Sequence, residues 1–201
     1  APFLLKVDTA LVAGADGSGT ICFGATGVNL FSYLSGTYSK NGAWKNKGTG
    51  NINLFDPTMV SFTNALPGNY GFYYIVPKVG ACPADTASVT LTLKPEIVIT
   101  IDSLDCTSDL NNYIVYLKAI GYNISSSIGM VTNLGNNRYS AGTIPVTSAV
   151  TITAKEASSG CKKDFPINPP NCSCPNVSPP VSGGNKIICF GDQIPTLTVT
   201  V

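Results

Sequence analysis

The amino-acid sequence predicts an all-β protein made of β-sandwich modules, and three observations lead to that class. Apolar and hydroxyl residues alternate in Thr86–Leu93, which places its alanine, valine and leucines on one face of a half-buried strand. Clusters of Gly and Pro recur about every 8–12 residues, as in sandwiches. No segment sustains the apolar spacing of a long helix.

The same alternation predicts further strands along the chain. They lie at Tyr70–Val76, Ile97–Ile101, Tyr113–Ile120, Ala149–Ala154 and Thr196–Val201. Val28–Leu34 is predicted to form one short helical turn.

Charge is scarce in this chain and limits its partners. Only 11% of the 201 residues are charged, the net charge is +1 and there is no histidine. A nucleic-acid binder needs a basic patch, yet two cations stand side by side only at Lys162–Lys163. No apolar run approaches the roughly 20 residues that span a bilayer. We therefore expect neither a nucleic-acid partner nor membrane insertion.

Proline and a short repeat divide the sequence into modules. Six of the 14 prolines lie between Pro166 and Pro180, a composition typical of an extended linker. Ile21–Gly24 (ICFG) recurs as Ile188–Gly191, which favours duplication. We predict one module at 1–95, a second at 96–172, and at 173–201 a Pro-rich linker with the start of a truncated third module.

Seven cysteines in a chain without histidine favour disulfides in an oxidising compartment over zinc. Early and late positions within each module predict the pairs Cys22–Cys82 and Cys106–Cys161. The pairing of the other three stays open, with the partner of Cys189 expected beyond the end of this sequence. Those three are Cys172, Cys174 and Cys189.

Several short motifs resemble the immunoglobulin-like (Ig-like) repeats of very large cell-surface adhesins of the Bacteroidota, of the SprB gliding-motility type. They are Leu30–Thr37, Gly42–Trp44, Phe55–Pro57, Pro67–Tyr70 and Cys82–Asp85. A second repeat type is represented by Ile144–Ala154 and Asn171–Pro175, and the start of a third by Pro179–Gly184 with Cys189.

The resemblance implies tandem Ig-like modules, export by the type IX secretion system, and a place outside the cell in adhesion or gliding. Partners would be neighbouring repeats of the same chain, surface polysaccharide or other cell-surface proteins. Independently, Trp44 is predicted to be a core aromatic packed against a disulfide, and Tyr70 to form a tyrosine corner with upstream backbone.

Catalysis is not expected, because without histidine neither a Ser-His-Asp nor a Cys-His arrangement can form. No cofactor is predicted apart from calcium, for which acidic residues crowd the junction of the first two modules. Those residues are Glu96, Asp102, Asp105 and Asp109. Asp16 is a weaker calcium candidate, and a solvated turn is the alternative for both.

Two further hypotheses concern modification and ligand binding. The Bacteroidota O-glycosylation pattern, Asp followed by Ser or Thr and an apolar residue, marks Thr9, Thr86 and Ser103. A glycan-binding module is the alternative function, with Tyr38, Trp44, Tyr73 and Tyr74 as the binding aromatics. A third alternative is a filament assembled by strand exchange through Thr196–Val201.

Overall fold

A computed structural model describes residues 3, 6–48, 50–173, 181–182 and 199–200. These residues form β-strands and one 3-10 helix, with no α-helix among them. The predicted all-β class is confirmed. Within the described residues, no helix has the length and apolarity that crossing a membrane would require.

The first module is a single sheet of four strands. They are β1 (Gly17–Ile21), β2 (Ala43–Lys47), β3 (Gly68–Val76) and β4 (Asp85–Leu93), in the order β1-β4-β3-β2. β1 runs parallel to β4, with Ile21 opposite Leu93, and the other two pairs are antiparallel. The parallel pair sets the direction in which the chain leaves β1, toward the end of the module at which β4 also ends.

A layer of loops covers the buried face of this sheet. The 3-10 helix Leu30–Tyr33 and the bridge between Val28 and Val60 belong to that layer. Phe62 and Phe72 are fully buried between the two layers, with the apolar face of β4. The alternation in Thr86–Leu93 therefore predicted both the strand and its buried face correctly.

The second module contains two sheets that pack face to face. Its strands are β5 (Thr100–Cys106), β6 (Asn112–Lys118), β7 (Tyr122–Ser126), β8 (Met130–Gly135), β9 (Arg138–Pro145), β10 (Val150–Glu156) and β11 (Lys162–Ile167). One sheet has the order β5-β6-β9-β8 and the other β11-β10-β7, with every pair antiparallel. The core between them includes Tyr113, Leu117 and Ile152, all fully buried.

Most predicted strands have counterparts in the structure, and one is shifted. The prediction at Ile97–Ile101 begins too early, because Ile97 is buried as part of the connection from β4 and the strand begins only at Thr100. Of Thr196–Val201 the structure describes two residues, Val199–Thr200, paired with Val181–Ser182. Cys174, Cys189 and most of the predicted linker lie outside the described residues.

Candidate functional site

The feature that stands out is a covalent joint between the two modules. Cys22 forms a disulfide with Cys161, across 139 residues of sequence and with 5.5 Å between the Cα atoms. Cys22 directly follows β1, and Cys161 directly precedes β11. The bridge therefore joins the end of one sheet in the first module to the start of a strand in the second.

The predicted partner of Cys22 was wrong for a reason that the sheet makes plain. Cys82 lies in the turn between β3 and β4, whereas Cys22 lies beside the last residue of β4. β4 has nine residues, which separates its two ends by about 30 Å. Cys82 forms no disulfide with the described cysteines, and its sulfur lies 3.5 Å from the Asp8 carbonyl oxygen.

The predicted pair Cys106–Cys161 was also wrong, because Cys106 binds Cys172 instead. β5 and β11 both begin near the joint and run away from it. Cys106 ends β5 and Cys172 follows β11, so these two meet at the far end of the module while Cys161 stays at the joint.

Two ion pairs flank the inter-module disulfide. The Lys94 ammonium lies 2.9 Å from a carboxylate oxygen of Glu156, and Lys163 pairs with Glu96. Cys161 also belongs to a small buried apolar cluster with Ile97 and Ala154. A disulfide, two ion pairs and an apolar contact thus restrain the same few residues of the connection.

Glu156 also holds the hairpin that carries Cys161. It accepts a hydrogen bond from the Ser159 hydroxyl, and the Ser159 oxygen accepts one from the Cys161 backbone N–H. The Ser159 hydroxyl foremost, and then Lys94, lower the pKa of Glu156. The carboxylate is therefore stabilised in the folded state relative to an unfolded chain.

This shift makes the joint sensitive to acid. A carboxyl whose folded pKa is lowered contributes stability above its ordinary pKa of about 4.3, and that contribution disappears as pH falls through the lowered value. We expect a carbon-detected NMR titration to place the pKa of Glu156 below the peptide reference. Ser159→Ala and Lys94→Ala should each raise it, and Lys155→Ala should leave it unchanged. A Glu156 midpoint at the reference value would contradict the expectation.

The four residues proposed for calcium do not come together. Glu96 pairs with Lys163, Asp102 lies 3.2 Å from the Arg138 guanidinium, and Asp109 accepts hydrogen bonds from Thr107 and Asn111. Asp105 is exposed on β5. No group of three or more candidate metal ligands occurs in the described part of the chain. Asp16 accepts a hydrogen bond from the Ser88 backbone N–H, 2.7 Å away.

The proposed binding aromatics do not form an exposed platform. Tyr74 is fully buried, and its hydroxyl donates to the Ser39 carbonyl, so its predicted role as an exposed aromatic was wrong. Trp44 is half-buried against Tyr74, with 5.1 Å between ring centroids. Tyr73 is half-buried under the Lys47 ammonium. Tyr38, the fourth candidate, also packs against Tyr74.

Trp44 belongs to an aromatic cluster with Tyr74 and Phe31, and the Cys22–Cys82 bridge predicted to lie beside it does not exist. The tyrosine corner is confirmed, since the Tyr70 hydroxyl donates to the Leu66 carbonyl at 2.7 Å. Trp44 and Tyr70 are thus structural residues of the first module.

The three predicted glycosylation residues differ in exposure. Thr9 and Thr86 are exposed, and Ser103 is half-buried on β5. Because both threonine side chains are exposed, burial would not prevent the attachment of a glycan to either of them. That hypothesis remains a prediction.

No family model matches the sequence, and neither does any curated protein. What can be concluded about this chain therefore depends on its own structure. Its described residues form a module with one loop-covered sheet and a module with two packed sheets, joined by a disulfide, and a second disulfide closes the far end of the second module. The two disulfides among the described residues indicate an oxidising, extracellular environment.

Sequence reasoning missed the cross-module pairing. The available signal was positional, since Cys22 comes immediately after a strand and Cys161 immediately before one. The sequence does not show that β1 pairs parallel to β4, and without that pairing the two positions do not reveal that both cysteines lie at the same joint.

Proposed function

We propose that this chain is a rigid structural segment of an adhesive stalk on a secreted cell-surface protein. The observation that carries the proposal is the joint, where one disulfide and the Lys94–Glu156 ion pair connect the second module to the first. Modules of a multidomain chain move relative to one another unless their contact is large and hydrophobic. A covalent second connection serves a protein that must hold its shape over distance.

The module architecture supports the same function. The orders β5-β6-β9-β8 and β11-β10-β7 correspond to strands A-B-E-D and G-F-C of a constant-type immunoglobulin sandwich. A sandwich of this type, joined to a preceding β module, suits a segment of an extracellular rod. Export by the type IX system, and a role in gliding or attachment to surface polysaccharide or other surface proteins, belong to the proposal through the resemblance described above.

Relative module orientation tests the rigidity that this function requires. We expect residual dipolar couplings from both modules of the oxidised chain to fit one alignment tensor, because the joint removes independent rotation. In Cys22→Ser/Cys161→Ser the two modules should need separate tensors. Cys106→Ser/Cys172→Ser is the matched control and should keep a single tensor. Two tensors in the oxidised native chain would contradict a rigid segment.

Surface position needs a test of its own. An antibody raised against residues 6–173 should label intact source cells, and protease added outside those cells should remove the label. Antigen that is protected until the cells are broken would overturn the stalk function, whatever the joint does.

A further inference from the structure

The inter-module disulfide connects two strands in the same sense of chain direction. β1 ends at Ile21 and is followed by Cys22, and β11 begins at Lys162 just after Cys161. A path that enters through β1 can therefore cross the sulfur atoms and continue along β11 toward Cys172. It reaches the end of the second module without passing through residues 23–160.

We propose that the Cys22–Cys161 disulfide is a covalent bypass for tension, which carries load from β1 to β11 and prevents force from extending residues 23–160. This mechanical property deepens the proposed stalk function, on which its biological purpose rests.

The bypass prevents the extension of a long segment of chain. Cys22 and Cys161 are separated by 139 residues, which would span about 450–500 Å as an extended chain. The disulfide holds their Cα atoms 5.5 Å apart. Even if both modules unfolded under load, this part of the molecule could not lengthen until a covalent bond broke.

The two strands that carry the load, β1 and β11, can lengthen only a little. β1 and β11 are already strands, and a strand rises about 3.3 Å per residue, close to the limit of an extended chain. Only the residues from Lys162 to Cys172 lie between the bypass and the second disulfide. Stretching them adds at most about 40 Å, before subtracting their folded length.

The second disulfide makes the arrangement testable, because it shields a different interval. Cys106 and Cys172 enclose 66 residues of the second module. If the bypass alone were removed, the first module and the connection could extend while this interval stayed closed. The maximum length therefore depends on the second disulfide only when the bypass is absent.

Pulling the 201-residue chain by its two termini in optical tweezers measures these lengths directly. Between Gly17 and Cys172, we expect the oxidised native chain to lengthen by less than about 50 Å before covalent rupture. Cys22→Ser/Cys161→Ser should lengthen by about 250–300 Å, and the chain with both disulfides reduced by about 450 Å. Extension of the terminal segments is common to all forms and is subtracted.

Cys106→Ser/Cys172→Ser is the control that identifies the responsible bridge. It loses a disulfide as well, yet it should remain as short as the native chain because the bypass is intact. If the serine variants fold poorly, a thiol reductant can be added to a native molecule already held under force, and the total increment of about 450 Å should appear only after reduction.

Lengthening of the oxidised native chain by 250 Å or more at forces that leave covalent bonds intact would overturn the bypass. That failure would leave the surface-labelling result untouched. Conversely, a chain found inside cells would remove the stalk function without altering the measured lengths.

Discussion

Replacing Cys106 and Cys172 together with serine is expected to lower the free energy of unfolding of the second module by about 4 kcal/mol. The bridge spans 66 residues, and in the chain-entropy account a loop of that length restricts the unfolded chain by about this amount. Domains are typically stable by only about 5–15 kcal/mol, so much of the second module's stability would be lost.

Hydrogen exchange followed by mass spectrometry measures this loss locally. Peptides from β6 and β10 should lose protection, and peptides from β3 and β4 should keep it, because the bridge does not enter the first module. Cys82→Ser is the matched control, a change from thiol to hydroxyl at a residue without a disulfide to the described cysteines, and should change stability by less than about 0.5 kcal/mol. Unchanged protection in β6 and β10 of the double variant would contradict the prediction.

The strands could be predicted because burial on one face imposes a period of two that is visible in the sequence. Ala87, Val89, Leu91 and Leu93 show this period, and all four are buried in β4. The layer that covers them could not be predicted in the same way. Val28, Val60 and Phe62 belong to loops and a single bridge, and irregular backbone leaves no periodic trace.

Disulfide partners depend on which strand ends share a side of the molecule, and the sequence does not contain that information locally. Early and late positions in a module suggested Cys22–Cys82, but the parallel pairing of β1 with β4 carries Cys22 toward the second module. Cys161 does lie late in its module, directly before β11, yet its partner lies in another module. Topology decides the pairing in both cases.

The partners of the acidic residues near the module boundary could not be predicted from the sequence either. The acids near residue 96 were predicted to be oxygen ligands for calcium. In the structure Glu96 and Asp102 each face a cation from a distant part of the chain, Lys163 and Arg138. A carboxylate near a module boundary is compatible with a metal or a salt bridge, and only the partner brought to it by the fold distinguishes them.

Phe72→Ala is expected to destabilise the first module by about 3–5 kcal/mol. Phe72 is fully buried on β3, and its ring meets that of Phe62 edge to face at 6.4 Å. Removing a buried aromatic ring forfeits its transfer free energy and leaves a cavity that a close-packed interior closes only in part. The residue lies where the sheet meets the loop layer, so its loss weakens the contact on which that irregular layer depends.

Urea unfolding followed by tryptophan fluorescence isolates this effect, because Trp44 is the single tryptophan and lies in the first module. Phe55→Ala makes the same chemical change at a side chain that is 95% exposed, and should shift the free energy of unfolding by less than about 0.5 kcal/mol. If the two variants lost equal stability, the loop layer would not be packed on the sheet through Phe72. A large loss at Phe72 alone would mean that ordinary core packing holds this layer in place, even though it contains almost no regular secondary structure.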